Sequence, residues 1–372
     1  MSKKMMLSLL VGGLMSAATL YLAFRNVPLA ELYAYLGSIS YLWLIPSTAL
    51  VVLAFMLRAY RWRLILKSAK NIGFWQAYHP LMIGFMINCV LPGRVGEIAR
   101  PAIIKKEQAV PFSAGIATVA AERIFDMVVL IALLAAVFTT VTRQPGLDVD
   151  FGGWHLNSQV LQTAAWAMIR LAIVLLIALA CLAFSVTRRW IVRIIEALFD
   201  LIAKILPGLQ SRAQKTARLL IGMVEGFAVG LGLVAHPRRA LACLGLTVLI
   251  WSLSALSYWV FSFGCPGIHL SYIEMSTVMV VVCFFIALPS APGFWGLWEA
   301  GGVFALALFG VPAKDAAGFT LVNHAVQMFP VILLGLLSAL ITSVNILQLT
   351  YGEKKKAPSV KEDQRSVVHE PS

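Results

Sequence analysis

Apolar stretches about as long as a bilayer-crossing helix recur along the chain, with charged residues gathered between them. The runs near 5–24, 41–57, 124–142, 163–186, 240–263 and 317–347 approach or exceed the ~18–20 residues that a helix needs to cross hydrocarbon. Two more, 78–91 and 272–288, end at a Leu-Pro pair, and 293–310 is apolar but interrupted by glycine. This pattern predicts an all-α, polytopic helical membrane protein with about eight membrane segments, some of them broken or re-entrant.

Composition agrees with that reading. Of 372 residues, 60% are hydrophobic and 13% charged, where a soluble protein carries about a quarter charged; the mean hydropathy is +0.85. A net charge of +13 raises the question of nucleic acid. The basic residues, however, sit in particular loops: Arg58, Arg61, Arg63, Lys67 and Lys70; Arg188, Arg189 and Arg193; Arg238 and Arg239; Lys354 to Lys356. Such clustering is what positive-inside topology produces. A basic groove interleaved with stacking aromatics is missing, which argues against a nucleic-acid partner. The five cysteines (Cys89, Cys181, Cys243, Cys265, Cys283) form no CxxC pair, and the histidines lack ligand spacing. Neither a disulfide framework, a metal nor a cofactor is expected.

The charged flanks set an orientation. Lys3 and Lys4 place the N-terminus in the cytoplasm, and the apolar run after them is too long for a signal peptide, so it reads as an uncleaved first span. The basic stretch 58–70 returns to the cytoplasm; the loop 143–162, with Asp148 and Asp150, faces outward. Residues 188–236, basic at both ends, alternate charge and bulk at helical spacing and predict an interfacial helical hairpin. Gly222, Gly226 and Gly230 form a small-residue stripe that permits close packing or a homodimer. A membrane domain over 1–350 would then be followed by a disordered cytoplasmic tail, 351–372.

Two stretches share their punctuation. "NCVLPGRVGEIAR" (88–100) and "LPSAPGFWGLWEAG" (288–301) each follow an apolar lead-in, run through Leu-Pro and glycines, and reach a glutamate, Glu97 or Glu299. Each precedes a Val-Pro able to open a helix, 110–111 and 311–312. Twelve residues beyond each valine lie polar triplets at identical offsets: Glu122, Arg123 and Asp126 in one case, Asn323, His324 and Gln327 in the other. The pattern predicts internal repeats, each a broken element followed by a long polar-bearing helix. Broken backbone survives in a bilayer only where protein or a watery cavity satisfies it, and transporters place substrate at such breaks.

Each candidate carries a bland alternative. Glu122, Arg123 and Asp126 share a helical face and either line a polar path or sit neutralised at a helix end. Arg94, Glu97 and Arg100 hold an excess of positive charge that suits phosphate, or are ordinary loop basicity. His324 is a proton-sensitive candidate, but inter-helix hydrogen bonding is the role expected first of Asn323, His324 and Gln327. Glu299 sits beside Trp295 and Trp298, as in an aromatic belt, and "RAYRWRLILK" reads as a positively charged interfacial helix. No nucleophile elbow, phosphate-binding Gly-Lys-Ser loop or dinucleotide fingerprint is present, so no catalytic residue is assigned and an enzyme is not expected.

"RAYRWRLIL", "NCVLPGRVGEIARP", "AERIFDMVVL" and "LPSAPGFWGLWEAGGVFALALFGVP" together, in this order across about residues 40–345, resemble the flippase-like family. This is the integral-membrane region shared with bifunctional lysylphosphatidylglycerol synthases. The resemblance implies a helical fold with re-entrant breaks in the bacterial inner membrane, or the archaeal plasma membrane, and lipid translocation. It carries over onto Arg94, Gly96, Glu97, Arg100, Glu122, Arg123, Asp126, Pro292, Gly293 and Glu299. The bifunctional members continue into a soluble aminoacyl-transfer domain that this sequence does not show, so lysyl-lipid synthesis is not expected of it. The expectation is a flippase or scramblase for an anionic or phosphate-bearing lipid, phospholipid or polyprenyl-linked. The alternative is a membrane subunit that presents lipid to a separate lipid-modifying enzyme.

Overall fold

The computed structural model describes residues 3–25, 27–91, 94–141, 148–151, 154–157, 185–205, 210–231, 236–288 and 291–344, with single positions between 163 and 177. The protein is all-α. Among the described residues, Tyr41–Leu66, Pro237–Ser262 and Ala313–Thr342 are long and apolar enough to cross a membrane; Gly12–Phe24 and Tyr272–Phe285 are shorter apolar helices. The expected span 163–186 and the tail 351–372 fall largely or wholly outside the described residues. Within the loop 143–162, expected to face outward, lies a small antiparallel hairpin, β1 (Asp148–Phe151) and β2 (Trp154–Asn157).

Helix α1 (Lys3–Phe24) and the short α2 (Leu29–Ser38) precede α3 (Leu44–Leu66), α4 (Phe74–Val90), α5 (Gly96–Gln108) and α6 (Phe112–Val141). After α7 (Ser185–Ile205) and α8 (Gln210–Leu231) come α9 (Pro237–Ser262), α10 (Tyr272–Phe285), α11 (Leu297–Ala307) and α12 (Ala313–Thr342). The sequence explains where several of these end. Leu91, held extended by the proline that follows it, stops α4. Val-Pro opens α6 and α12, each 30 residues long.

The two punctuated stretches occupy equivalent places. In both, a long helix (α3 or α9) leads to a shorter one (α4 or α10), a break, a short helix (α5 or α11) and a 30-residue helix (α6 or α12). The packing repeats as well: α4 lies on α12 as α10 lies on α6, and the short helices lean on their neighbours alike. The long helices α3 and α9 meet at the centre and run antiparallel. Ser47, early in α3, bonds Ser257, late in α9, while Arg61 bonds Thr247 further along both. The repeats are therefore inverted relative to each other.

What fuses them is a matched seam. Ser47, Val51, Ala54, Arg58, Arg61 and Ile65 recur on α3 at alternating steps of four and three, and all are buried. Cys243, Thr247, Ile250, Ser257 and Phe261 follow the same rhythm on α9 and are buried too. Small residues at this spacing let two helices approach closely without a hydrophobic drive.

All but the last of the described residues of 188–236, expected as an interfacial hairpin, lie in α7 and α8, packed on each other, with α8 also along α6. Val186, Trp190, Ile194, Leu198, Leu201 and Ile205 stay exposed along α7, a stripe that suits a helix lying in the headgroup region. At Gly222 a methyl group would meet nothing within 4 Å, so this glycine faces open space rather than a close-packed helix. The surroundings of Gly226 and Gly230 lie outside the described residues.

Candidate functional site

The first polar triplet is the hub of a buried ion network. Arg61, fully buried, places Nη1 2.7 Å from Asp126 Oδ1 and Nη2 3.5 Å from Glu122 Oε1, and also donates to Thr247 Oγ1 at 2.7 Å. Glu122 is shared: Arg100, reaching in from α5, bonds its other oxygen. Arg100 lies over the Trp62 ring, 4.2 Å from its centroid. Asp126 accepts a further bond from Trp251 Nε1 at 3.3 Å and faces Arg123 Nη1 at 3.6 Å. Charges this deep persist only when paired and hydrogen-bonded, and removing one partner strands the others.

Arg123 belongs to two worlds. It touches Asp126 behind it, and its Nε lies 4.0 Å from Glu97 Oε1; about a third of each of these two side chains stays open. Both face a cavity of about 220 Å³ enclosed by the central seam, the two breaks and α12. Arg94 lines it from the first break, in a left-handed backbone conformation (φ 54°), with Nη2 donating to Ile286 O at 2.9 Å. One break is thereby tied to the start of the other. The Gly96 N–H donates to Asn88 Oδ1 at 2.8 Å, which satisfies backbone that the break would leave bare.

Arg58, one α3 turn before Arg61, also lines the cavity. It is 9% exposed and wedged between the rings of Phe55 and Trp251, at 5.5 and 5.1 Å. No carboxylate lies within ion-pair distance of it among the described residues.

The second triplet makes a different centre. Glu299, fully buried, caps α11 by accepting from Gly296 N–H at 2.7 Å. Its other oxygen lies 2.6 Å from His324 Nδ1, while His324 Nε2 lies 2.8 Å from Gly293 O in the second break. Both imidazole nitrogens thus face acceptors. Trp298 stacks on His324 at 4.6 Å and 3°, and Trp295 closes at 4.5 Å, so that aromatic rings cover the imidazole.

Compared with known proteins, residues 5–335 match the family model described as the lysylphosphatidylglycerol synthase TM region. The chain belongs to this family. It is also similar to glycosyltransferase AglD of Haloferax volcanii, 26% identical over 362 residues, which cover 91% of this chain and 55% of that protein. The chain thus spans about half the length of the curated relative it matches. No solved structure matches.

For this member of the lysylphosphatidylglycerol synthase TM family, the site residues read from sequence divide into two layers. Arg94, Glu97, Arg123, His324 and Gln327 line the cavity. Arg100, Glu122, Asp126 and Glu299 stand buried behind it and hold the lining residues in place. Three expectations need correction. Asn323 was expected to bond between helices, yet it is fully buried and neither of its side-chain polar atoms has a protein partner; Gln327 does make such a bond, Nε2 to Ser257 Oγ at 2.9 Å. Trp295 and Trp298, expected as an interfacial belt, pack on His324 and enclose it. "RAYRWRLILK" is not an interfacial helix: α3 carries it inward, where Arg58 and Arg61 are buried. The missed signal was phase. Both arginines continue the Ser47, Val51, Ala54 stripe instead of the face that exposes Leu53, Met56 and Tyr60.

Proposed function

We propose that this protein moves an anionic or phosphate-bearing lipid between leaflets, as a flippase or scramblase. The observation that carries the reading is the cavity between two inverted broken elements, lined by Arg58, Arg94 and Arg123 against Glu97 alone. Guanidinium groups bind phosphate oxygens bidentately, and broken segments at corresponding places of inverted repeats frame the substrate sites of transporters. Membership of a lipid-synthase membrane family supports the same reading. The headgroup would pass through the cavity while its tails remain in the bilayer. Glu122 and Asp126 hold the arginines behind the wall, and His324, set between Glu299 and the Gly293 carbonyl, would be a proton carrier for ion coupling. No catalytic step is assigned to the chain. Its place would be the bacterial inner membrane, with both termini cytoplasmic, as the basic loops suggest.

The test is a leaflet-accessibility assay in liposomes holding the purified protein, with headgroup-labelled phosphatidylglycerol, phosphatidylethanolamine and a polyprenyl phosphate. Movement of an anionic lipid that Arg123→Ala abolishes is expected; folded protein that moves none of the three would sink the proposal. A second reading draws on the relative named a glycosyltransferase, of which this chain spans about half. In that reading the membrane region presents lipid to a separate enzyme, and it would co-purify with that enzyme and move no lipid alone.

A further inference from the structure

The charges around the cavity do not balance. Five guanidiniums (Arg58, Arg61, Arg94, Arg100, Arg123) surround three carboxylates (Glu97, Glu122, Asp126). Arg61 and Arg100 are consumed by Glu122 and Asp126, and Arg123 is shared between Asp126 and Glu97. That leaves Arg58 and Arg94 without a carboxylate. Arg94 spends one nitrogen on the Ile286 carbonyl. Arg58 has no hydrogen-bond partner for its buried Nε, sits between the Phe55 and Trp251 rings, and lines the cavity. Arg58 is buried and Arg94 exposed; a buried cation such as Arg58 is costly unless a ligand neutralises it, and Arg94 adds a second free positive charge at the cavity.

We infer that Arg58, with Arg94 and Arg123, forms a subsite for a dianionic phosphate, a phosphomonoester or terminal diphosphate instead of the singly charged phosphodiester of ordinary phospholipids. A phosphomonoester carries about −1.5 to −2 at neutral pH, against −1 for a diester, and so meets the excess that the wall presents. The planar forks of Arg58 and Arg123 come from α3 and α6, and Arg94 comes from the first break, so a phosphate among them would bridge fixed and broken elements. The inference rests on the proposed lipid-handling cavity and names its headgroup class.

The experiment measures equilibrium binding to the full chain in nanodiscs, using farnesyl phosphate, phosphatidylglycerol, farnesol and inorganic phosphate as probes. Farnesyl phosphate is expected to bind at least ~10-fold more tightly than phosphatidylglycerol, and Arg58→Gln to remove that advantage, as loss of a charge-assisted bond implies. Arg58→Lys should retain part of it, which guards against a folding artefact, and thermal unfolding of each variant serves as the check. Displacement by inorganic phosphate at equal concentration would assign the subsite to the free ion; resistance would assign it to the lipid. Either result sustains a phosphate site. Equal affinity for farnesyl phosphate and phosphatidylglycerol, or an Arg58→Gln protein that is folded and unimpaired, overturns it. Preferential binding by protein that moves no lipid would leave the subsite standing and fell the translocation reading, whereas lipid movement without the preference would do the reverse.

Discussion

Arg61 Nη1 and Asp126 Oδ1 lie 2.7 Å apart at a point where neither side chain reaches solvent. Their contact joins the central helix of the first repeat to its long polar helix. With Glu122 and Arg100 it forms a closed set in which every charge has an opposite neighbour. The set is the scaffold that aims Arg123 at the cavity.

Breaking it should therefore unfold the protein before it changes anything else. Arg61→Met takes one guanidinium from each of Glu122 and Asp126, leaving them only Arg100 and Arg123, and a buried ion pair cut on one side costs about 3–5 kcal/mol. Thermal unfolding in detergent is expected to fall sharply, and Asp126→Asn, which keeps a hydrogen-bonding oxygen, to fall less. Wild-type stability in Arg61→Met would show that the network is an ornament.

Glu299 should behave as a cap and as an imidazole partner at once. Glu299→Ala removes the bond to Gly296 N–H and leaves His324 Nδ1 unanswered, with an expected cost of about 2–4 kcal/mol from the lost cap and the unsatisfied buried group. Glu299→Gln keeps the cap, since its carbonyl still accepts, and should restore part of the loss. The check is the ordering of the two variants in a denaturation series; equal loss would deny the capping role.

The first break depends on close backbone contact. A methyl group at Gly96 would collide with the Gly84 carbonyl of α4, whereas one at Gly222 meets nothing. Gly96→Ala should lower folded yield and stability, while Gly222→Ala should be neutral or stabilise by up to ~1 kcal/mol through helix propensity. The paired unfolding measurements decide it, and the same response at both positions would mean the contact is not what holds the break.

Much of this was legible in the chain before its coordinates. Apolar length marked the helices, Leu-Pro marked where α4 and α10 stop, and the equal offsets from Val-Pro to the polar triplets anticipated two matching units. Their inversion was not legible as geometry, because it becomes visible only when Ser47 meets Ser257 across the seam. Charge alone misplaced Arg58 and Arg61: a basic cluster at the end of an apolar run looks cytoplasmic unless the helical phase of its members is followed. Nor could spacing foresee that His324 would bridge Glu299 to the Gly293 carbonyl, since those partners sit 25 and 31 residues away.

The central claim is that lipid headgroups pass through the cavity between the breaks, and the most direct measurement is leaflet accessibility in proteoliposomes with that cavity filled. Cys89 lies on its wall and is half-buried, so Cys89→Trp introduces bulk into the space without replacing any member of the ion network. The plugged protein, shown to be folded, is expected to lose headgroup movement that the parent protein supports. Equal movement by the plugged and parent proteins would contradict the account and place the lipid's path elsewhere.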